Sequence, residues 1–190
     1  MSAAPRHRVA TKPSPRELAK LEELMLYLAW RSEDDPNFGQ TKLNKLLCLA
    51  DFHAYGTRGQ SITHQPYRRM EYGPAPRFLV QAQRELFKSK AAVLVEREST
   101  EGTTQQRLIP IREFTAKYLT ADDITSAEKA LEWLKHATAT EAMNRSHRWL
   151  PWLVTPPGED IPYELVFFDR PAEVSSSDVD FLKATEEKCG

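Results

Sequence analysis

Thr41–Leu79 reads TKLNKLLCLADFHAYGTRGQSITHQPYRRMEYGPAPRFL, a regular amphipathic helix running into a segment too specific for a plain connection. Leu43, Leu46, Leu47 and Ala50 recur at three- and four-residue steps. That spacing predicts a helix from about Thr41 with these residues inward, Lys42, Asn44 and Lys45 outward, and an end marked by Gly56 and Gly59. Ser61-Ile62-Thr63, Tyr67-Arg68-Arg69-Met70-Glu71 and Tyr72-Gly73-Pro74-Ala75-Pro76 then mix aromatic, basic and turn-forming residues, read as a functional loop between helices. Gly73 permits positive φ, and Pro74 and Pro76 stiffen the chain beyond it, so the loop is expected to present one shape. Tyrosine and arginine bury broad area while keeping a directional polar group, which makes Tyr67, Arg69, Tyr72 and Arg77 the candidate partner-binding anchors. The plainer reading is that Tyr72-Gly73-Pro74 is a structural turn with its tyrosine packed beneath.

Before this stretch, Ser14-Pro15-Arg16-Glu17 is a capping box with proline at the first helical position. Leu18, Leu21, Leu24 or Met25, and Leu28 form the buried stripe of that helix, which should stop before Asp34-Asp35-Pro36. After it, a helix is expected from about Pro76 to Lys88, with Phe78, Leu79, Ala82 and Leu86 on one face. Ala91–Val95 and Gln106–Ile111 read as two strands of a hairpin turning at Gly102, with Pro110 favouring an edge. Further on, a helix starts near Ile124 with Ala130, Leu131 and Leu134 inward and Trp133 a further candidate for that face. Thr138 and Glu141 cap a short helix ending near His147. Trp149–Pro162, rich in proline, is expected to be an ordered loop packed by its two tryptophans, and Ser175–Asp178 to cap a last helix. The fold class is therefore α+β, mainly α: a compact helical domain, residues 14–190, with one small antiparallel β-hairpin and a disordered tail at 1–13.

A chain of 190 residues, 41% hydrophobic and 28% charged, suits one soluble domain, and no apolar run nears the roughly 20 residues of a membrane span. The first residues lack the apolar segment of a secretory signal, so the expected location is cytoplasmic. Cys48 and Cys189 offer neither a disulfide framework nor a metal site. The net charge of -1 conceals a division: residues 58–112 hold ten Lys or Arg against five Asp or Glu, and residues 113–190 hold eight against fifteen. A polarised surface is expected if the fold keeps the two regions apart.

The pattern KLNKLL.LADF..Y..G.SIT...Y....YGP.PR resembles the core signature of the SocA-like antitoxin family, also called the Panacea domain, of bacterial and phage toxin–antitoxin systems. Ser146-His147, Trp152, Gly158 and Ile161-Pro162-Tyr163-Glu164 continue the resemblance in family order, and the match spans about residues 16–170. At Cys48, before Leu49-Ala50-Asp51, relatives commonly carry Tyr or Phe. The resemblance implies an antitoxin that neutralises a toxin encoded nearby by forming a protein complex with it, without a cofactor. It also implies an alternative, since one relative is an adaptor delivering its toxin to a Clp-type protease. The family serves toxins of unrelated folds.

Catalytic chemistry has no motif here: HExxH, paired CxxC, phosphate-binding glycine loops and GxSxG are missing. His53 and His64 are eleven apart, as are His136 and His147, and neither spacing makes a helical ligand pair. Asp51, Glu71 and His147 would make an acid–base set only if they converged. His147 is instead expected to hold the Trp-rich loop, with Gly73 and Pro74 as structural motif residues. A second alternative is a winged-helix-like DNA-binding regulator, with Arg77, Arg84 and Lys88 along a recognition helix and Arg97 and Arg107 on the wing. Glutamates 96, 98 and 101 and a pI of about 6.5 weigh against nucleic acid.

Overall fold

The computed structural model describes residues 12–111 and 113–168. The expected tail (but for Lys12 and Pro13), the helix after Ser175 and Cys189 lie outside them. Helices α1 (Pro15–Arg31) and α2 (Gln40–Arg58) lead into strands β1 (Tyr67–Met70) and β2 (Gly73–Pro76), then α3 (Leu79–Lys88), β3 (Ala92–Glu98) and β4 (Thr104–Pro110). Helices α4 (Ala121–Trp133), α5 (Ala139–His147) and α6 (Leu150–Val154) and a 3-10 turn (Tyr163–Phe167) complete the order. The class is mainly α with a small β part, as read from the sequence, but the described residues hold two antiparallel strand pairs where one hairpin was expected.

The extra pair forms from the segment read as a loop, and its prolines explain how. Arg77 N–H donates to the Pro66 carbonyl, so in the register Tyr67↔Pro76 and Arg69↔Pro74 both prolines fall at positions whose missing N–H would point away from β1. The ladder loses nothing. On its other side β1 bonds with the chain at 158–161: Arg69 N–H donates to the Glu159 carbonyl and Ile161 N–H to the Tyr67 carbonyl. Strand formation at Gly73–Pro76 also delays α3, which begins at Leu79 rather than Pro76.

Three helix starts are set locally. Ser14–Glu17, Thr120–Asp123 and Thr138–Glu141 each form a complete capping box. The second of these, with Asp in the Glu position, starts α4 three residues before the expected Ile124, and Trp133 at its end is 44% exposed. Within 149–162, Pro151 sits near the start of the short helix α6, where its missing N–H costs nothing.

Helix α2 is the axis of the core, packed by α1, α4, α5, β2 and the 3-10 turn. Leu43, Leu46, Leu47, Cys48, Ala50, Phe52 and Ala54 are all buried, so apolar contact surrounds the helix instead of lining one side. Each large aliphatic side chain buried this way is worth about 1.5–3 kcal/mol. Lys42 and Lys45, expected outward, are only 2% exposed. Each finds a partner: Lys42 Nζ lies 2.6 Å from Asp35 and donates to the Ala137 carbonyl at 2.7 Å, and Lys45 donates to the Tyr72 carbonyl. The helix runs through Gly56, and Gly59 alone caps it.

Candidate functional site

The turn of the β1–β2 hairpin is held from three helices. From α2, Lys45 Nζ donates to the Tyr72 carbonyl, and burial pulls its pKa down to about 8. From α5, Ser146 and His147 close the other side: a Cβ on Gly73 would stand 2.6 Å from Ser146 Oγ and 2.7 Å from Lys45 Nζ, and His147 hydrogen-bonds the Glu71 backbone. Beside α6, Arg69 Nη1 donates to the Thr155 carbonyl while its guanidinium lies 4.0 Å from the Trp152 ring centroid. The His147 ring stacks on the same indole at 4.1 Å. Burial, joined by the Lys45 cation, holds His147 below the ordinary histidine range.

Outside the clamp stands Tyr72, 64% exposed, with Met70 beside it and Leu153 and Val154 on α6. At the base of the hairpin, Arg77 Nη2 is 3.5 Å from Asp160 Oδ2, and Arg68 Nε is 4.0 Å from Asp160 Oδ1. Arg69 and Arg77 are thus half-buried residues with internal partners, and Pro74 is buried behind the turn.

Tyr67 does not belong with them. Its side chain is fully buried, and its hydroxyl donates to Asp51 Oδ2 at 2.7 Å. Asp51 also accepts from the Thr63 N–H at 2.8 Å and from the Thr63 hydroxyl. Burial raises the Asp51 carboxyl above its usual range although these hydrogen bonds favour its ionised form. The sequence expectation of Tyr67 as a partner anchor is corrected: it is a core residue, packed edge-on against Phe52 at 6.0 Å.

Asp51, Glu71 and His147 are not arranged as an acid–base set, because Asp51 is engaged by Thr63 and Tyr67 while His147 hydrogen-bonds the Glu71 backbone and stacks on Trp152. Two roomy depressions, about 760 Å³ between α1 and β4 and about 610 Å³ between α2 and α4, include none of the three. Among the described residues no group of three or more His, Cys, Asp or Glu side chains is placed to hold a metal ion, and no helix is long and apolar enough to cross a membrane. The basic residues of the DNA-binding alternative are also partly engaged. Arg77 precedes α3 and pairs with Asp160, and Arg107 points back to donate to the Ser32, Glu33 and Asp35 carbonyls. Arg84, Lys88 and Arg97 remain exposed.

Sequence reasoning missed Lys45 and Asp160 as parts of this site, and the contact of Trp152 with Arg69. Lys45 carried a usable signal, since a helix apolar on most sides has no solvent face for a lysine. Trp152 stood in the family pattern and in the loop that His147 was expected to hold, but its contact with Arg69 had no local signal, and Asp160 carried none, because its contacts with Arg68 and Arg77 join residues far apart in the chain. A family model described as antitoxin SocA-like, Panacea domain, matches residues 43–153, from α2 into α6 and across both strand pairs. No curated protein and no solved structure matches the chain.

Proposed function

Because the chain belongs to the SocA-like antitoxin family, the Panacea domain, we propose that it neutralises a cognate toxin encoded nearby by binding it directly, through the clamped turn of the β1–β2 hairpin. The observation that carries this reading is Tyr72. A large aromatic ring stands 64% exposed on a turn fixed by Lys45, His147 and Arg69, so binding it costs little ordering entropy. Met70, two residues earlier, adds exposed apolar area, and Leu153 and Val154 are exposed on α6, whose Leu153 carbonyl lies 3.4 Å from Arg69 Nη1. Arg69 and Arg77 supply charge at the rim, where cations steer encounter with an acidic patch on the partner.

Co-expression with the neighbouring gene product tests the proposal, with growth, co-purification and toxin half-life as readouts. Rescue of growth with a stable complex and an unchanged toxin half-life is the expected result; a shortened half-life instead indicates delivery to a Clp-type protease. Tyr72→Ala separates contact from folding, because the side chain is exposed and the Lys45 bond uses only the backbone. It should weaken the complex at least about tenfold, the effect of losing a modest interface anchor, with the thermal midpoint unchanged. Full affinity in Tyr72→Ala would rule out this surface.

A further inference from the structure

The groove of about 610 Å³ between α2 and α4 has mainly apolar walls: Leu49 and Phe52 from α2, Ala130 and Trp133 from α4, and Trp149 and Val166 from the later chain. Trp133 is 44% exposed there, and Leu49, Trp149 and Val166 are half-buried. Indole surface left facing water favours a covering segment that brings apolar side chains. Cations stand at the rim. Lys129 is exposed and lies 2.8 Å from Glu132, while Arg58 at the end of α2 pairs with Asp123. Burial, then Lys129 and Arg58, hold His53 on the α2 wall below the ordinary histidine range, so the field at that wall is positive. Its Nδ1 is buried and has no hydrogen-bond partner among the described residues.

The chain itself leads away from this groove. Val166, in the 3-10 turn, packs on α2 so closely that a Cβ on Gly56 would stand 3.3 Å from its Cγ2. Phe167 and Phe168 follow, 49% and 70% exposed, and residues 169–190 continue from there. Their sequence is complementary to the groove. Asp169, Glu173, Asp178 and Asp180 stand against Arg170 alone on the way to Phe181-Leu182. In a helix capped within Ser175–Asp178, as the sequence predicts, Asp178, Phe181 and Leu182 fall at i, i+3 and i+4, which sets one acid and two large apolar side chains on a single face. The ten residues 169–178 can span up to about 35 Å, ample for a groove with Val166 in its wall.

We infer that the segment around Phe181 folds back into the α2–α4 groove of its own chain, with Phe181 and Leu182 against Trp133 and Trp149 and with Asp178 towards Lys129 and His53. A short connection from Phe168 keeps the segment at a high effective concentration, so a small contact is enough to hold it. The groove is then closed in the free protein, and any partner that needs it must first displace the segment. This contact is independent of the toxin-binding reading, and its test needs no toxin.

The test uses the full chain carrying photoreactive p-benzoylphenylalanine in place of Phe181. Illumination of a dilute sample should join position 181 to peptides that hold Leu49–His53 or Lys129–Trp133, in a product of the single-chain mass of 21.8 kDa. Asp178→Lys should lower the yield about two- to fivefold, the scale of one exposed ion pair. Tryptophan fluorescence gives a second reading without the label. Phe181→Asp should uncover Trp133 and Trp149, moving emission to the red and raising quenching by acrylamide. Trp133→Phe should remove most of that difference, which ties it to the groove and not to a general loosening. No crosslink, or one to residues away from the groove, overturns the inference. A crosslink found only at twice the chain mass overturns it too and assigns the groove to a second copy. Quenching that is the same in the wild-type and Phe181→Asp chains overturns it equally.

Discussion

Gly73 shows how one residue sets the shape of the proposed binding turn. Its φ is +100°, where a side chain is strained, and a Cβ would collide with Lys45 and Ser146. Displacing Lys45 would also break its bond to the Tyr72 carbonyl. Gly73→Ala should therefore cost about 2–4 kcal/mol, strain plus a lost buried hydrogen bond. Gly158 supplies the control: its φ is +81° but nothing lies within 4 Å of a Cβ there, so Gly158→Ala should cost only about 1 kcal/mol. Urea unfolding of the two variants measures the difference, and equal costs would mean that the crowding at Gly73 is unimportant. Gly73 was legible in sequence because turn chemistry is local. Tyr67 was not: the residue type that makes a good interface anchor also makes a good buried one, and only the position of Asp51 and Thr63 across from it decides.

At the scale of elements, the seam between α1 and α3 carries a mismatch that pH can expose. Glu22 on α1 is half-buried, and desolvation together with the charge of Glu85 on α3 raises its pKa to about 7. The folded protein thus holds this proton more tightly than the unfolded chain does. The stability contributed by the protonated form is fully present below the unfolded value near 4.5 and is lost as pH rises through about 7. Glu22→Gln should stabilise the protein at pH 8 by about 1–2 kcal/mol, discounted for screening at a half-exposed site, with the benefit already reduced to a small fraction at pH 5 and gone below about 4.5. Paired urea titrations at the two pH values check this, and a benefit that is equal at both would sink it. The elements themselves were read well where their signals are local: Ser14–Glu17 and Thr138–Glu141 start helices where their boxes stand. The β1–β2 pair escaped notice because two prolines in four residues speak against a strand, unless the missing donors face away from the partner. That depends on register, which residues 158–161 and α2 fix from a distance.

Over the whole molecule, the charge division in the sequence does not survive folding intact. Arg58, Arg68 and Arg77 from the basic stretch pair with Asp123 and Asp160 from the acidic one, so the later half of the chain closes on the earlier half through ion pairs. These two closures differ in depth. The Asp123 side chain is 3% exposed; it binds Lys20 of α1 at 3.1 Å and Arg58 at the end of α2, and it accepts the Thr120 N–H at the start of its own helix. Burial opposes its ionisation, but the Thr120 bond and the two cations outweigh that, holding its carboxyl below the usual range. Its contribution is present at neutral pH and fades as pH falls through the lowered value. Asp160 is 20% exposed, its partners stand at 3.5 and 4.0 Å, and its ion pairs are open to screening. Asp123→Ala should accordingly cost about 2–4 kcal/mol, combining a lost cap with a broken buried pair, and Asp160→Ala less than about 1 kcal/mol. In about 1 M NaCl, where the Debye length is about 3 Å, the Asp160 effect should largely vanish while most of the Asp123 effect persists. Urea unfolding of both variants with and without salt measures this. If the order were reversed, or if salt abolished the Asp123 cost, the joint at Asp123 would be a surface ion pair and not the buried clasp that ties α1, α2 and α4 together.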